Sequence, residues 1–320
     1  MNIMGRNIII IDLGVYSTKV GIADMNEPQF TIRSLMNSSK TSEDILFGDE
    51  AIEKSNETLP LLDYKWDTME IRWSKIFDFF RYIFEEKLKI SASELMEYTV
   101  VLLIGPMQPR SHFIRYYQAL FSKFKVKEVL IISATRMALL ASWKTTGVVV
   151  DIGYKSTRVV PFYEGFRFAH AFNHQDLAGK DIDEFGEEIL EIPMIPEKKY
   201  HIPTSEMIVK VIEWCDEEVR DELYSNIIFS GWWSANPKIT DMIYKNMQKR
   251  LDDHALTMVS PSTPFYNWTA AAQLATNQLK DIAVLVYLPR KKYEIEKKWE
   301  KLLLFAGFKT KKWGLISYPL

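Results

Sequence analysis

"IIIIDLGVYSTKVGI" at residues 8–22 and "GVVVDIGYKSTRVVP" at residues 147–161 carry one pattern twice. Aligned on Asp12 and Asp151, each reads as an apolar run, Asp, Leu or Ile, Gly, two variable residues, Ser-Thr, Lys or Arg, and Val. A short apolar run bounded by a turn signal is a buried strand, and Asp-x-Gly closes it tightly enough for the next residues to return as a second strand. A pattern repeated at a spacing of roughly 140 residues predicts a duplicated domain.

The intervening chain alternates strands and helices, which makes the class α/β. "RWSKIFDFFRYIFEEKL" puts Trp73, Ile76, Phe77, Phe80, Ile83, Phe84 and Leu88 on one helical face. "TVVLLIGP" (99–106) and "EVLIIS" read as buried strands, with a helix from "SHFIRYYQALFSKF" between them. "TSEDILFGDEAIEKSNETLP" is polar and reads as a mobile excursion. In the second half, helices are expected in "DLAGKDIDEFGEEIL", over the whole of "EMIVKVIEWCDEEVRDEL", in "KITDMIYKNMQKRL" and in "FYNWTAAAQLATNQL", with a strand at "NIIFS". The chain's last segment reads as strand, helix, strand.

Composition excludes several classes. The chain has 320 residues, 47% of them hydrophobic, and a net charge of −2, which argues against a nucleic-acid binder. No apolar run approaches the roughly 20 residues of a membrane helix. The one cysteine, Cys215, leaves no disulfide and no thiolate metal site, and suits a reducing cytosol. No small-residue cleavage site precedes the first strand, so no signal peptide is expected. His112, His170, His174, His201 and His254 are scattered; only "HAFNH" brings two within four residues, in a strand-to-loop region ill suited to a metal. Residues 290–313 hold nine basic and three acidic side chains. That is either the solvated side of a packed helix or a surface for an acidic partner.

The repeated turn carries chemistry. Backbone N–H groups of a tight turn can point at phosphate oxygens, and a carboxylate at the strand end can hold water on a divalent cation. Two such hairpins facing one another would clamp a nucleotide. On these motifs, together with "WDTMEIRWSKIF", "VVLLIGPMQP", "DLAGKD", "CDEEVRDELYSNIIFSG" and "FYNWTAAAQLA" in that order, the chain resembles actin and the actin-related proteins over roughly residues 7–278. The resemblance implies a two-lobed, duplicated fold with a ribonuclease-H-like core. It also implies ATP or ADP with Mg in the cleft, and actin or another actin-related protein as partner. Carried over by position, Asp12, Gly14 and Lys19 fall on the first phosphate hairpin and Asp151 and Gly153 on the second. Gly179 falls on a loop approaching the nucleotide, and Gly231 and Trp232 beside the adenosine. Asp12 and Asp151 would orient cation-bound waters.

The departures from the family pattern cluster on the same pocket. Trp232 stands where the family has a second glycine, and can either fill the base site or stack on the base. Ala134 stands where a glutamine would orient the attacking water, so efficient hydrolysis is not expected. Val15, Tyr16 and Tyr154 replace turn residues, and Ala270 and Ala271 replace glycines near the adenine end. The stretch between "AGKD" and "CDEE" is several tens of residues shorter than in the family, so one outer subdomain is expected to be largely deleted. The expected organisation is a first lobe over 1–146, a truncated second lobe over 147–278 and a β-α-β element over 279–320. The expected function is a cytoplasmic, cytoskeletal actin-related subunit that caps or joins a complex, with a degenerate nucleotide pocket; the alternative is an ATP-binding, polymerising ATPase.

Overall fold

The computed structural model describes residues 7–38, 45–65, 68–71, 73–106, 108–193, 201–251, 255–261, 263–276 and 288–291. They form two compact units, one from the described residues of 1–134 and 271–319, the other from those of 135–270. Both are α/β.

The first unit is built on a mixed sheet. Its strands run in the order Leu288–Pro289, Glu128–Ser133, Thr99–Ile104, Ile8–Leu13, Ser17–Ile22, Phe30–Arg33. Ile8–Leu13 pairs antiparallel with Ser17–Ile22 and parallel with Thr99–Ile104. This central strand is apolar along nearly its whole length because both its faces are covered. On one side Ile9, Ile11, Val100 and Leu102 pack against Phe80 and Tyr116. Phe80 comes from the helix Trp73–Arg81, and the amphipathic run continues beyond it as a π-helical turn, Tyr82–Lys87. The stretch read as a polar excursion is more ordered than expected. Its described part contains the helix Asp49–Lys54, which buries Ala51, and the strand Thr58–Pro60, which pairs with Leu35–Asn37. Elements this short leave too little periodicity to be seen in a sequence.

In the second unit the order is Phe166–Arg167, Thr157–Tyr163, Gly147–Ile152, Ile227–Ser230, Met258–Val259. Gly147–Ile152 again pairs antiparallel with the returning strand and parallel with the strand on its other side. The repeated motif therefore occupies the same place in both sheets. Val148, Val150 and Phe229 pack against Ile208, Ile212 and Ile243, from the helices Thr204–Glu213 and Pro237–Gln248.

The single helix expected over residues 206–223 is two, Thr204–Glu213 and Glu217–Tyr224. Asp216 between them has an extended backbone, φ −58° and ψ 137°. Arg220 folds back over the break, donating from Nη2 to the Glu213 carbonyl at 2.7 Å and from Nε to that of Cys215 at 3.0 Å. Carbonyls orphaned by the break thus regain donors. Burial pushes the Cys215 thiol up to about 12, which keeps it unreactive.

The connection after the helix Gly179–Phe185 is tied down by a polar cluster. Glu191 accepts from Ser205 N at 2.8 Å, Ser205 Oγ at 2.5 Å and Asn246 Nδ2 at 3.1 Å. His201 Nε2 lies 2.6 Å from the Ile192 carbonyl and Nδ1 lies 3.2 Å from Gln175 Oε1. The expected C-terminal element lies outside the described residues except at 288–291, where Leu288–Pro289 pairs antiparallel with Glu128 and Val129. Among the described residues, no helix is long and apolar enough to cross a membrane.

One partly buried group makes stability depend on pH. His112 sits edge-on to Trp73 at 5.1 Å. Burial, and then the nearby Arg115 charge, lower its pKa from 6.5 to about 4. Between those values the unfolded chain binds a proton that the folded chain refuses. The stabilisation is therefore complete above pH 6.5 and is lost as pH falls towards 4. His112→Phe should flatten the fall in melting temperature across that window, and an unchanged slope would refute this assignment.

Candidate functional site

The first hairpin, Ile8–Leu13 with Ser17–Ile22, turns at Gly14. A Cβ at Gly14 would collide with the Ser17 carbonyl, so the turn admits only glycine. Ser34 Oγ donates to the Gly14 carbonyl at 2.6 Å and contacts Thr18 Oγ1 at 2.9 Å, which ties the turn to the third strand. Asp12 and Lys19 are direct cross-strand partners, with Lys19 Nζ 4.0 Å from Asp12 Oδ2. Arg33 stacks on the Tyr16 ring at 3.9 Å, so an aromatic–guanidinium pair stands on the turn's second variable position. Asp12, Gly14 and Lys19 are brought together as the motif predicts.

The second hairpin repeats this geometry with a closer pair. Asp151 and Arg158 are cross-strand partners, and Arg158 Nη1 lies 3.3 Å from Asp151 Oδ2, both side chains being about nine-tenths buried. Ser230 Oγ donates to Asp151 Oδ1 at 3.2 Å and accepts from Asn267 Nδ2 at 3.1 Å. The carboxylate is thus held by a guanidinium and a hydroxyl of the chain itself. Gly179 N donates to the Gly153 carbonyl at 2.9 Å and Lys180 N to that of Tyr154 at 2.8 Å. The loop carrying Gly179 is docked on the turn carrying Gly153, and two N–H groups are used in doing so.

Gly231 follows the strand Ile227–Ser230 with φ +93°, and a Cβ there would run into the Ile152 carbonyl. Backbone passes this closely over the hairpin only at glycine. The next residues form a short 3₁₀ turn, Trp232–Ala235. Here one expectation is corrected. Trp232 does not fill a buried space; it is 45% exposed and leans edge-on against Phe265 at 5.6 Å. The indole that occupies space is Trp233, which packs against the unit's core. A Cβ placed on Gly179 would collide with its Nε1 and Cδ1. Successive residues of a 3₁₀ turn point about 120° apart, so one tryptophan goes out and the next goes in.

Within the second unit the structure gathers Asp151, Gly153, Gly179 and Gly231, and adds Arg158, Ser230, Trp233 and Asn267, which the sequence reading did not single out. Arg158 had a signal, as the basic member of the repeated pattern opposite the aspartate. Trp233 had none that separated it from Trp232. Asp151 already has a cationic partner, and the approach to Gly179 is taken by an indole. Ala134 opens the helix Ala134–Ala141 and is 8% exposed, and Ala270 and Ala271 are buried. Among the described residues no group of three or more His, Cys, Asp or Glu could hold a metal. His170 Nε2 lies 3.2 Å from the Trp214 carbonyl, while His174 stacks on Phe172.

Residues 5–201 match the family model described as Actin. Among curated proteins, Actin-like protein 7A of Homo sapiens is 25% identical over 184 residues, which covers 55% of this chain and 42% of the relative. The protein of the same name from Bos taurus is 26% identical over 185 residues, covering 55% and 41%. The chain spans less than half the length of these relatives.

Proposed function

The chain belongs to the actin family, and from that premise we propose that it acts by assembly rather than by nucleotide turnover. It is a cytoplasmic, cytoskeletal actin-related subunit that caps a filament or joins a complex, with actin or another actin-related protein as its partner. The observation that carries this reading is Trp233 packed over Gly179. The Arg158–Asp151 pair supports it, because a guanidinium already neutralises the carboxylate that would orient a cation's waters. We read the shared strand order of the two sheets as a duplicated, two-lobed core. The short connection closed by Glu191, Ser205, His201 and Gln175 is, in this reading, what remains of a largely deleted outer subdomain. The domain limits proposed are 1–146, 147–278 and 279–320.

A protomer lacking one end's contacts can join a filament but cannot be extended. Electron microscopy with Mg-ATP and salt varied should therefore show single particles that cap filaments of a companion actin. Regular homopolymers would overturn the proposal. Phosphate release should stay near background because Ala134 cannot orient a water. The intact Asp12–Lys19 hairpin favours the alternative, an ATP-binding polymer former. Thermal melting separates the two readings. A ligand at 100 times its Kd stabilises by about 2.7 kcal/mol, so a shift of several degrees with Mg-ATP would favour the alternative and no shift the proposal.

A further inference from the structure

The basic stretch that begins at Arg290 belongs to neither hairpin. Its described start is fastened to a second basic run, Lys123, Lys125 and Lys127, where the helix Arg110–Gln118 and its π-helical continuation Ala119–Lys123 end. One residue beyond the last strand pair, Pro289 opposite Glu128, Arg290 N donates to the Lys127 carbonyl at 2.9 Å. Arg290 Nη1 donates to the Lys125 carbonyl. Two basic runs 165 residues apart in the chain therefore meet at the edge of the first unit's sheet.

Folding alone gives little reason for this gathering. Residues opposite one another in an antiparallel pair share a face, and like charges there are destabilising. Arg290 and Lys127 stand in that relation. Lys123, Lys125, Lys127 and Lys291 are exposed, and among the described residues none of the four pairs with a carboxylate. Glu128, the acid beside Lys127, accepts instead from Thr99 Oγ1 at 3.3 Å. Lys125 has φ +54° just past a helix end, a place that usually falls to glycine. Lys89 stands at an equivalent helix end with φ +55°, but it pairs with Glu86 at 3.4 Å. Lys123 is already held in place, with Nζ 4.5 Å from the Phe77 ring centroid. We propose that Lys123, Lys125, Lys127, Arg290 and Lys291 form a docking surface for an acidic segment of a partner protein. A carboxylate between Lys127 and Arg290 removes their repulsion and gains charge-assisted hydrogen bonds. With these five cations in a chain of net charge −2, the rest of the surface is acidic. A membrane or a long nucleic acid would meet that acidic surface as well, whereas a short acidic segment would not. The inference depends on neither hairpin and on no nucleotide.

The test is fluorescence anisotropy of a labelled octaglutamate peptide titrated with the full chain. Wild type should bind it and not octaglutamine, with affinity falling as salt rises. Lys125→Glu with Lys127→Glu should weaken binding about tenfold or more. Lys245→Glu with Lys249→Glu, the same change of net charge in the second unit, should alter it by less than about twofold. Lys127→Gln should weaken binding while leaving the melting temperature unchanged or higher, since it relieves the opposition to Arg290. No binding, binding insensitive to salt, or equal losses in the two double variants would overturn the proposal. So would a Lys127→Gln variant that loses stability and binds as before. Tighter binding to phosphatidylserine vesicles or to oligothymidylate than to octaglutamate would overturn the choice of a protein partner.

Discussion

Asp151→Ala is expected to destabilise the second unit by about 3–5 kcal/mol, the usual effect of removing one partner from a buried pair. The loss is large because of what stays behind. Arg158 keeps its charge with its side chain only 12% exposed, and Ser230 Oγ loses an acceptor. Asp151→Ala combined with Arg158→Met should recover much of the loss, because it removes both charges together. The direction of the single variant also separates two uses of this aspartate. A carboxylate kept for a cation repels its surroundings when the cation is absent, so its removal would be neutral or stabilising in chelator. A carboxylate kept as half of an internal pair loses the same stability with magnesium or with chelator. Chemical denaturation followed by tryptophan fluorescence, in both conditions, reads the difference. The corresponding pair in the first unit, Asp12 and Lys19, is 4.0 Å apart, beyond hydrogen-bond reach. Its direct contribution is expected to be smaller.

What the sequence revealed and what it hid follow from how local each feature is. The two hairpins were legible because an apolar run closed by Asp-x-Gly is a contiguous signal, and it recurred. The cross-strand pairing of Asp151 with Arg158 follows from the register of one hairpin, so the pattern already contained it. The Trp214–Asp216 break was not legible, because Cys215 continues the apolar period and the carbonyls freed there are satisfied by Arg220. The inward tryptophan was hidden for a different reason. Gly231 at φ +93° resets the chain direction, and the 3₁₀ turn after it sets the facing of each side chain. Two adjacent identical residues give a sequence no means of choosing between them.

Gly179→Ala should have an equally local and severe effect. Its backbone φ does not require glycine, so space alone decides, and that space is occupied by Trp233 Nε1 and Cδ1. The new methyl group displaces an indole that is wedged against the core. Overpacking of this kind costs about 1–3 kcal/mol, and the upper end is expected because a rigid bicycle cannot yield by rotating a chain end. Trp233→Ala costs stability through lost burial, roughly 2 kcal/mol, below the usual range for a fully buried aromatic because Trp233 is only partly buried. The double variant should then be no less stable than Trp233→Ala alone, since the methyl group enters vacated space. That cancellation, a coupling of about 3 kcal/mol, is well above what additive sites show. Additive losses would mean that the indole does not stand over Gly179. The same Trp233→Ala protein tests what the indole excludes. If Trp233 is what closes this approach, Mg-ATP should raise the melting temperature of Trp233→Ala more than that of wild type. Combining Trp233→Ala with Arg158→Ala, which also frees the Asp151 carboxylate, should raise it further.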